Sequence, residues 1–505
     1  MSDAAYLGID IGTTSVKCMA VDGNGKHLLT KSKSYNSESP YSGWVEQNPE
    51  DWMEAVYQSV YGCHQELSDY DVIAVSFSGH MSSPVFLDEN MEPLRKCITV
   101  ADTRSFRQSG FLMKNFSGDF AEVSGNYPFD CFIAAKLLWL KEEEPHVYEK
   151  VKTFVCAKDY VRYRLTGELC TEPSDAGNTN FYDLKKKEWS YDLIRKVGIR
   201  TDIFPKVIKS TDIAGFITKD AAKKTGLKEG TPVICGAADM ACSQIGTGAI
   251  MDGCLAITLG TSGQVCMKVS DIHPKGIGKI TYHQGAADDL MYAMATIFSG
   301  GLAANWCYQL LYNRDRMEEE DFIRLGEIAK NMKDIPAGSK GILFLPFLTG
   351  SASPYFNSID RAGFTGLSLS STREEIEHAV LEGVAYNIYE NIKVFKNMDC
   401  HIDKIRLGGG GAKLPIWGQI IADVIGKDID VLESSDASTL GACVLARSFN
   451  NSQFDLMDIS GGIKVKERIQ YRKKEHTIYK KLLKDYDDFY KVMSKIQGRQ
   501  SGRSD

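Results

Sequence analysis

Apolar and polar positions alternate from the first residues of the chain. Tyr6-Leu7-Gly8-Ile9-Asp10-Ile11 runs into Gly12-Thr13-Thr14, and a second apolar run extends from Val16 to Val21. Period-two alternation on both sides of a short Gly/Thr segment predicts a β-hairpin. The pattern returns in mid-chain, where Leu255 to Leu259 leads into Gly260-Thr261-Ser262-Gly263 and then Gln264 to Val269. Short apolar runs at Val72 to Phe77, Pro232 to Cys235 and Lys404 to Leu407 predict further strands, whereas Pro49 to Leu67, Phe132 to Glu143 and Arg373 to Lys396 carry the helical period. Strands interleaved with helices mark an α/β protein. Tyr479, Leu482, Leu483, Tyr486 and Tyr490 recur at helical spacing between Lys474 and Ile496, which predicts a packing helix, and the polar residues 498–505 predict a frayed tail.

At 505 residues the chain exceeds a single hydrophobic core. No Pro/Ser-rich linker interrupts it, so domains joined by short hinges are expected, with the second hairpin opening the second domain and a boundary near Gly246 to Asp252. A content of 43% apolar and 25% charged residues is that of a globular protein. A net charge of -7 gives no basic footprint for nucleic acid or an anionic membrane, which leaves small molecules as the expected partners. No apolar run approaches the ~20 residues of a membrane span. Thirteen cysteines lie singly, without Cys-x-x-Cys, as in a reducing compartment. With the first strand starting as early as Tyr6, a cytoplasmic protein is expected.

Chemistry concentrates at a few places. Glycine lets backbone amides approach an anion and Thr or Ser adds hydroxyl donors, so each Gly-Thr-Thr/Ser turn is a candidate phosphate cradle, and two of them would grip a polyphosphate such as ATP. Asp10, at the end of the first strand, is placed to hold a hydrated Mg²⁺ beside phosphate oxygens. The strand-like Lys404 to Leu407 runs into Gly408-Gly409-Gly410-Gly411-Ala412 and then a helix, which offers a nucleoside bare backbone at a helix N-terminus. Pro232 to Ala238 ends in Asp239, which either caps the next helix or serves as the general base for an alcohol; the flanking phosphate signals favour the base. Gly79-His80-Met81-Ser82-Ser83 follows a strand end, where α/β proteins bind ligands. His80 there is a loop hydrogen-bonder or a substrate contact. Asp102 and Arg104, two residues apart on an extended segment, face one way and bind sugar hydroxyls or each other. Gly-x-x-x-x-Gly-Lys-Ser/Thr is absent, as are the His-Arg-Asp and Asp-Phe-Gly motifs, which excludes a P-loop enzyme and a protein kinase.

These residues resemble the FGGY family of carbohydrate kinases, within the actin-like ATPase superfamily, from Tyr6 to about Ala446. The resemblance rests on the first hairpin, Gly43-Trp44-Val45-Glu46-Gln47-Asn48-Pro49, Lys136-Leu137-Leu138-Trp139-Leu140, Thr166-Gly167-Glu168, the Asp239 segment, the second hairpin and the glycine run, in family order. Most specific are Gly363-Phe364-Thr365-Gly366-Leu367 and Glu375 to Gly383, which look like the family's C-terminal signature. The resemblance implies two ribonuclease-H-like domains around a central cleft: residues 1–246 mainly for sugar, 247–497 mainly for ATP, and a flexible tail at 498–505. It implies Asp239 as catalytic base, Asp10 at Mg²⁺, and Thr13, Thr14, Lys17, Gly260, Thr261, Ser262, Gly409, Gly410, Gly411 and Ala412 at ATP. His80, Met81, Ser82, Asp102, Arg104 and Asp239 are the implied sugar contacts, with Trp44 and Glu46 near them. Homodimers are common among such relatives, so a homodimer is one expected state.

The overall pattern is closest to xylulose kinase-like members, which implies transfer of the γ-phosphate of ATP to a hydroxyl of a ketopentose such as xylulose, or a related sugar or polyol. Where those members carry Gly-Gln-Met-His, this chain has Gly79-His80-Met81-Ser82; Gly350 to Pro354 and Ala101 to Arg104 depart as well. A site built around a lost substrate hydrogen bond changes its discrimination. An actin-like ATP-driven switch without a sugar substrate and a catalytically weak sugar sensor are the rival readings.

Overall fold

The computed structural model describes residues 3–287, 289–315, 326–327, 332–434, 436–450 and 463–501. The chain forms two compact units that are not simple halves. Unit 1 takes Met1–Ile250, Tyr282–Tyr292 and Asp436–Gly462, and unit 2 takes Met251–Thr281, Ala293–Ser435 and Ile463–Asp505. The first unit's long segment ends at Ile250, and two later segments also belong to it.

Unit 1 is built on the strands β1 (Asp3–Ile11), β2 (Ser15–Asp22), β3 (His27–Ser34), β4 (Tyr70–Gly79), β5 (Ile213–Phe216) and β6 (Pro232–Ile234). They lie in the order β5-β6-β4-β1-β2-β3, and the two-residue strand Ala237–Ala238 also pairs with β4. The first hairpin forms as expected, with β1 antiparallel to β2, and β4 runs parallel to β1. Asp10 lies opposite Lys17 on one side and Ser78 on the other. Neighbours in register share a face, so these three side chains converge at the carboxyl end of β1.

One face of the sheet is closed by helix α1 (Pro49–Glu66), whose Trp52, Met53, Val56 and Val60 enter the core with Leu7, Ile9, Ile11 and Phe77. Pro49 at the first helical position and Asn48, which accepts from the Glu50 amide, start this helix. The other face is covered by helices α2 (Asp239–Thr247) and α3 (Ala437–Arg447). Gly8 permits this cover, because a Cβ there would lie 2.6 Å from the Cys443 amide and the Thr439 carbonyl.

The chain carries a second seven-stranded sheet. Its strands are β7 (Cys254–Leu259), β8 (Gly263–Val269), β9 (Thr281–Gln284), β10 (Met291–Ile297), β11 (Lys404–Gly408), β12 (Ile429–Leu432) and β13 (Val465–Ile469), in the order β9-β10-β8-β7-β11-β12-β13. The second hairpin, β7 with β8, is antiparallel, and β11 runs parallel to β7. The predicted helix over Arg373 to Lys396 is Arg373–Asn397, opened by a Thr372/Glu375 capping box.

The C-terminal helix runs Lys473–Ser501 and corrects the expectation of a frayed segment from Gly498. Its last turns are tied by Gln497, whose side-chain oxygen accepts from the Arg361 amide at 2.9 Å and whose amide nitrogen donates to the Arg361 carbonyl at 3.1 Å. Residues 502–505 of the expected tail lie outside the described residues.

Candidate active site

In unit 1 the site is assembled from strand ends. Asp10 is buried; its Oδ2 accepts from the Ser438 hydroxyl at 2.8 Å, while Oδ1 meets no donor at bonding geometry. Burial raises its pKa, and nearby Ser78, Ser438 and Lys17 partly counter this. Lys17 pairs with Asp436, which stands with Ser438 at the start of α3. The Asp10–Ser438 contact spans 428 residues of sequence and has no local signal apart from small Ala437 and Gly441, spaced one helical turn apart as close packing requires. A buried carboxylate oxygen without a donor fits the hydrated Mg²⁺ expected at Asp10, since Mg²⁺ keeps most of its waters and takes few protein ligands. Among the described residues no cluster of three or more His, Cys, Asp or Glu forms a full metal cage.

Asp239 is the first residue of α2, and Ala238 takes the cap position. Its carboxylate accepts from the Met240 amide at 2.7 Å, a local bond of the capping kind, while the side chain stays partly open at the surface of the unit. Loss of solvation, reinforced by the negative charges of Asp10 and Asp175, pushes its pKa up to about 8, against the pull of the Met240 and Met81 amides. Met81 of the Gly79–Ser83 loop therefore stands beside the candidate base. A pKa near neutral pH lets such a group take up a hydroxyl proton and release it again.

Behind Asp239 lies a charge cluster that sequence reasoning did not find. Lys158 pairs with Asp159 at 2.7 Å, Asp175 at 2.9 Å and Glu172 at 3.2 Å, every partner buried. Burial alone would lower the Lys158 pKa, but the three carboxylates outweigh it and hold the ammonium charged. Glu172 accepts from the Ser174 hydroxyl at 2.6 Å, and the Ser174 oxygen accepts from the Ala238 amide at 2.8 Å, one residue before Asp239. Lys158 and Asp159 lie on the helix Ala157–Thr166, and Glu172, Ser174 and Asp175 at the start of Pro173–Gly177, so the packing of two helices rather than a motif spacing assembles the cluster.

The loop from Gly79 to Ser83 is fixed from within. The Ser83 hydroxyl donates to the Met81 carbonyl at 3.0 Å and so must accept from His80 Nδ1 at 2.6 Å. That assigns the Nδ1–H tautomer, and burial together with the charge of Lys136 lowers the ring's pKa to about 3, keeping it neutral. Its Nε2 is a buried acceptor without a partner. Ser82 adopts a left-handed φ of 57°.

Asp102 and Arg104 bind each other. Arg104 Nε reaches Asp102 Oδ1 at 2.8 Å and Nη2 reaches Oδ2 at 2.7 Å, while Nη1 donates to Glu46 at 2.7 Å. The guanidinium lies 3.6 Å from the centroid of the Trp44 ring, and no part of the Arg104 side chain is exposed. The pair binds internally and joins Trp44 and Glu46 into one buttress.

In unit 2 the turn after β7 is exposed at Gly260 and Thr261 and partly exposed at Ser262. The Gly301 amide donates to the Gly260 carbonyl at 2.8 Å and the Leu302 amide to the Thr261 carbonyl at 3.0 Å, so the N-terminus of helix 301–312 ties back the turn's oxygens. The glycine run sits against the same strand end. A Cβ on Gly409, with φ 85°, would lie 2.4 Å from the Leu259 carbonyl, and Gly410 faces open space. Past Gly411 and Ala412 a cavity of ≈ 790 Å³ opens, lined among others by Lys413, Leu414, Pro415, Gln419 and Ile420.

The N-terminal domain of the FGGY family of carbohydrate kinases matches residues 5–246 and its C-terminal domain matches residues 255–448. The chain belongs to the FGGY family of carbohydrate kinases and has the actin-like ATPase fold. It is an ATP-dependent sugar kinase, a phosphotransferase with an alcohol acceptor that works with Mg²⁺. It is 32% identical over 490 residues to a xylulose kinase of Bacillus subtilis, covering 96% of each chain, and 30% identical over 449 residues to a gluconokinase of the same organism, covering 87% of this chain and 86% of the relative. The solved ligand-bound xylulose kinase from Lactobacillus acidophilus superposes with a TM-score of 0.90 at 28% identity, covering 98% of this chain and 99% of the other. Among the described residues no helix is long and apolar enough to cross a membrane.

Proposed function

We propose that the enzyme phosphorylates a ketopentose such as xylulose, or a related polyol, with Asp239 as the general base. The carrying observation is the position of Asp239: partly open, high in proton affinity, and beside Met81 of the sugar loop. In this reading His80, Met81 and Ser82 line the sugar on residues 1–246, and the neutral His80 offers its Nε2 acceptor to a hydroxyl. The Gly12–Thr14 and Gly260–Ser262 turns and Lys17 hold phosphates, while Gly409 to Ala412 and the neighbouring cavity take the nucleoside, so residues 247–497 mainly hold ATP. Asp239 takes the hydroxyl proton as the oxygen attacks the γ-phosphate, and the turn amides stabilise the charge that develops. Mg²⁺ bound by Asp10 supplies neutralisation of phosphate charge. Asp102 and Arg104 serve this site as the wall behind it.

The identities to xylulose kinases support the ketopentose, and the identity to a gluconokinase favours one second acceptor, a sugar acid. A cytoplasmic location and a homodimer complete the reading. ADP release measured over a panel of ketoses, polyols and sugar acids tests it. Turnover highest with xylulose supports the proposal; turnover highest with gluconate supports the second acceptor. An Asp239→Ala enzyme that retains sugar-dependent turnover would falsify the base.

A further inference from the structure

The phosphate-binding turn after β1 shares a design problem with the turn after β7: its carbonyl oxygens have the wrong sign for a phosphate. In the second turn main-chain amides at a helix start hold two of them back. In the first, three successive carbonyls are held by groups outside the turn. The Tyr35 hydroxyl donates to Gly12 O, the Gln47 side chain to Thr13 O at 2.7 Å, and the Tyr35 amide to Thr14 O at 3.1 Å. Thr13 and Thr14 themselves remain exposed.

Gln47 is the one of these donors whose orientation is set by a further residue. It is 1% exposed and lies on the two-residue strand Glu46–Gln47, which pairs with Cys97–Ile98, just before the Asn48 cap of α1. The Trp52 indole, a pure donor, reaches the Gln47 side-chain oxygen at 3.0 Å. The amide nitrogen is thereby turned toward Thr13 O and the Ser37 hydroxyl at 2.8 Å, and both its hydrogens are used. Gln47 and Trp52 occupy the positions before and four residues after the cap where helices usually place a hydrophobic clasp; here the clasp is a hydrogen bond. On its other side Trp52 meets the His80 ring edge-on, with centroids 5.4 Å apart, and the His80 amide donates to Ile11 O at 2.9 Å.

From this geometry we infer that Gln47 is a positioning residue that sets the register of the Gly12–Thr14 turn against the sugar loop. The inference rests on the reading of that turn as a phosphate grip. Loss of the Gln47 donors frees the Thr13 carbonyl to rotate toward the phosphate side, which lowers turnover and leaves sugar binding alone.

The test uses the full chain with MgATP and D-xylulose, or the panel sugar turned over fastest. Gln47→Met keeps the volume and removes both donors; Trp52→Phe keeps most of the packing and removes only the indole N–H. Rates are normalised to the folded fraction from circular dichroism. Both variants are expected to lower kcat, Gln47→Met by about 10- to 100-fold, with the sugar KM within about twofold of the wild type. The double variant is expected to lose less than the product of the two, because both act through one bond. Should Gln47→Met not fold, Trp52→Phe carries the same split between kcat and KM. Wild-type kcat in the folded variants, or an equal loss in sugar KM, overturns the inference. A Thr13→Ala/Thr14→Ala enzyme separates the two failures: if it keeps full kcat and ATP KM, the phosphate reading of the turn fails; if it loses turnover while Gln47→Met does not, only the role of Gln47 fails.

Discussion

The ammonium of Lys136 lies 2.7 Å from the carbonyl oxygen of Ser82. It donates equally to Thr99 O at 2.7 Å and more weakly to Cys131 O at 3.5 Å, and among the described residues no carboxylate is bonded to it, so the buried amine ties these loops through carbonyl oxygens. Burial lowers its pKa, with Asp102 and Asp130 opposing. Lys136→Met removes the tie and, with it, the cost of burying charge. Its melting temperature is therefore expected to change little, whereas the sugar KM is expected to rise by about tenfold, the effect of one lost anchor of about 1.4 kcal/mol. Steady-state kinetics beside a thermal melt checks both.

Asp239 gives a pH signature. Its pKa of about 8 in the folded chain lies above the unfolded carboxyl value, so the folded state binds the extra proton. The stability this proton contributes is complete below the unfolded pKa of about 4 and is lost as pH rises through about 8. Asp239→Asn cannot lose it. The variant is expected to melt above the wild type at pH 8.5, with the gap closing toward pH 4.5, in scanning fluorimetry without nucleotide.

Asp10→Asn preserves shape but halves the carboxylate's capacity for a cation. The Mg²⁺ concentration giving half-maximal turnover is expected to rise by about tenfold or more. EDTA is expected to abolish turnover of the wild type. Because burial disfavours the Asp10 charge, the metal-free variant is expected to melt no lower than the wild type.

Arg104→Lys removes a planar fork that one ammonium cannot replace. The bonds to Asp102 and Glu46 and the stacking on Trp44 would be left incomplete in a site where the side chain has no exposure. A loss of about 2–4 kcal/mol is expected, seen as a fall in melting temperature. A melt equal to the wild type would rule out the buttress.

Strand and helix periods made much of this fold legible. Both hairpins, the helices at 49 and 373 and the strand into Gly409 lie where the alternation of residues puts them. The positions of single loops were legible too: Gly-Thr-Thr lies in the turn between β1 and β2, and Ala-Ala-Asp leads into α2. The wiring was not. Ser438 reaches Asp10 from the far end of the chain, and Lys158 gathers the adjacent Asp159 with Glu172 and Asp175 from the next helix, pairings that no periodic pattern announces. Asp102 and Arg104 show the limit of spacing: it placed them on one face and left open that they would consume each other. Gln47 stood within a recognisable motif, yet only the direction of the Trp52 N–H gives its amide a task.

The return of α3 to the first unit has a consequence for biosynthesis. The helix that covers Gly8 and brings Ser438 to Asp10 is translated long after β1, once the strands β7 to β12 have been made. Until then α2 alone lies on that face and the surface around Gly8 stays uncovered, so a nascent chain stopped at Ile250 is an aggregation hazard.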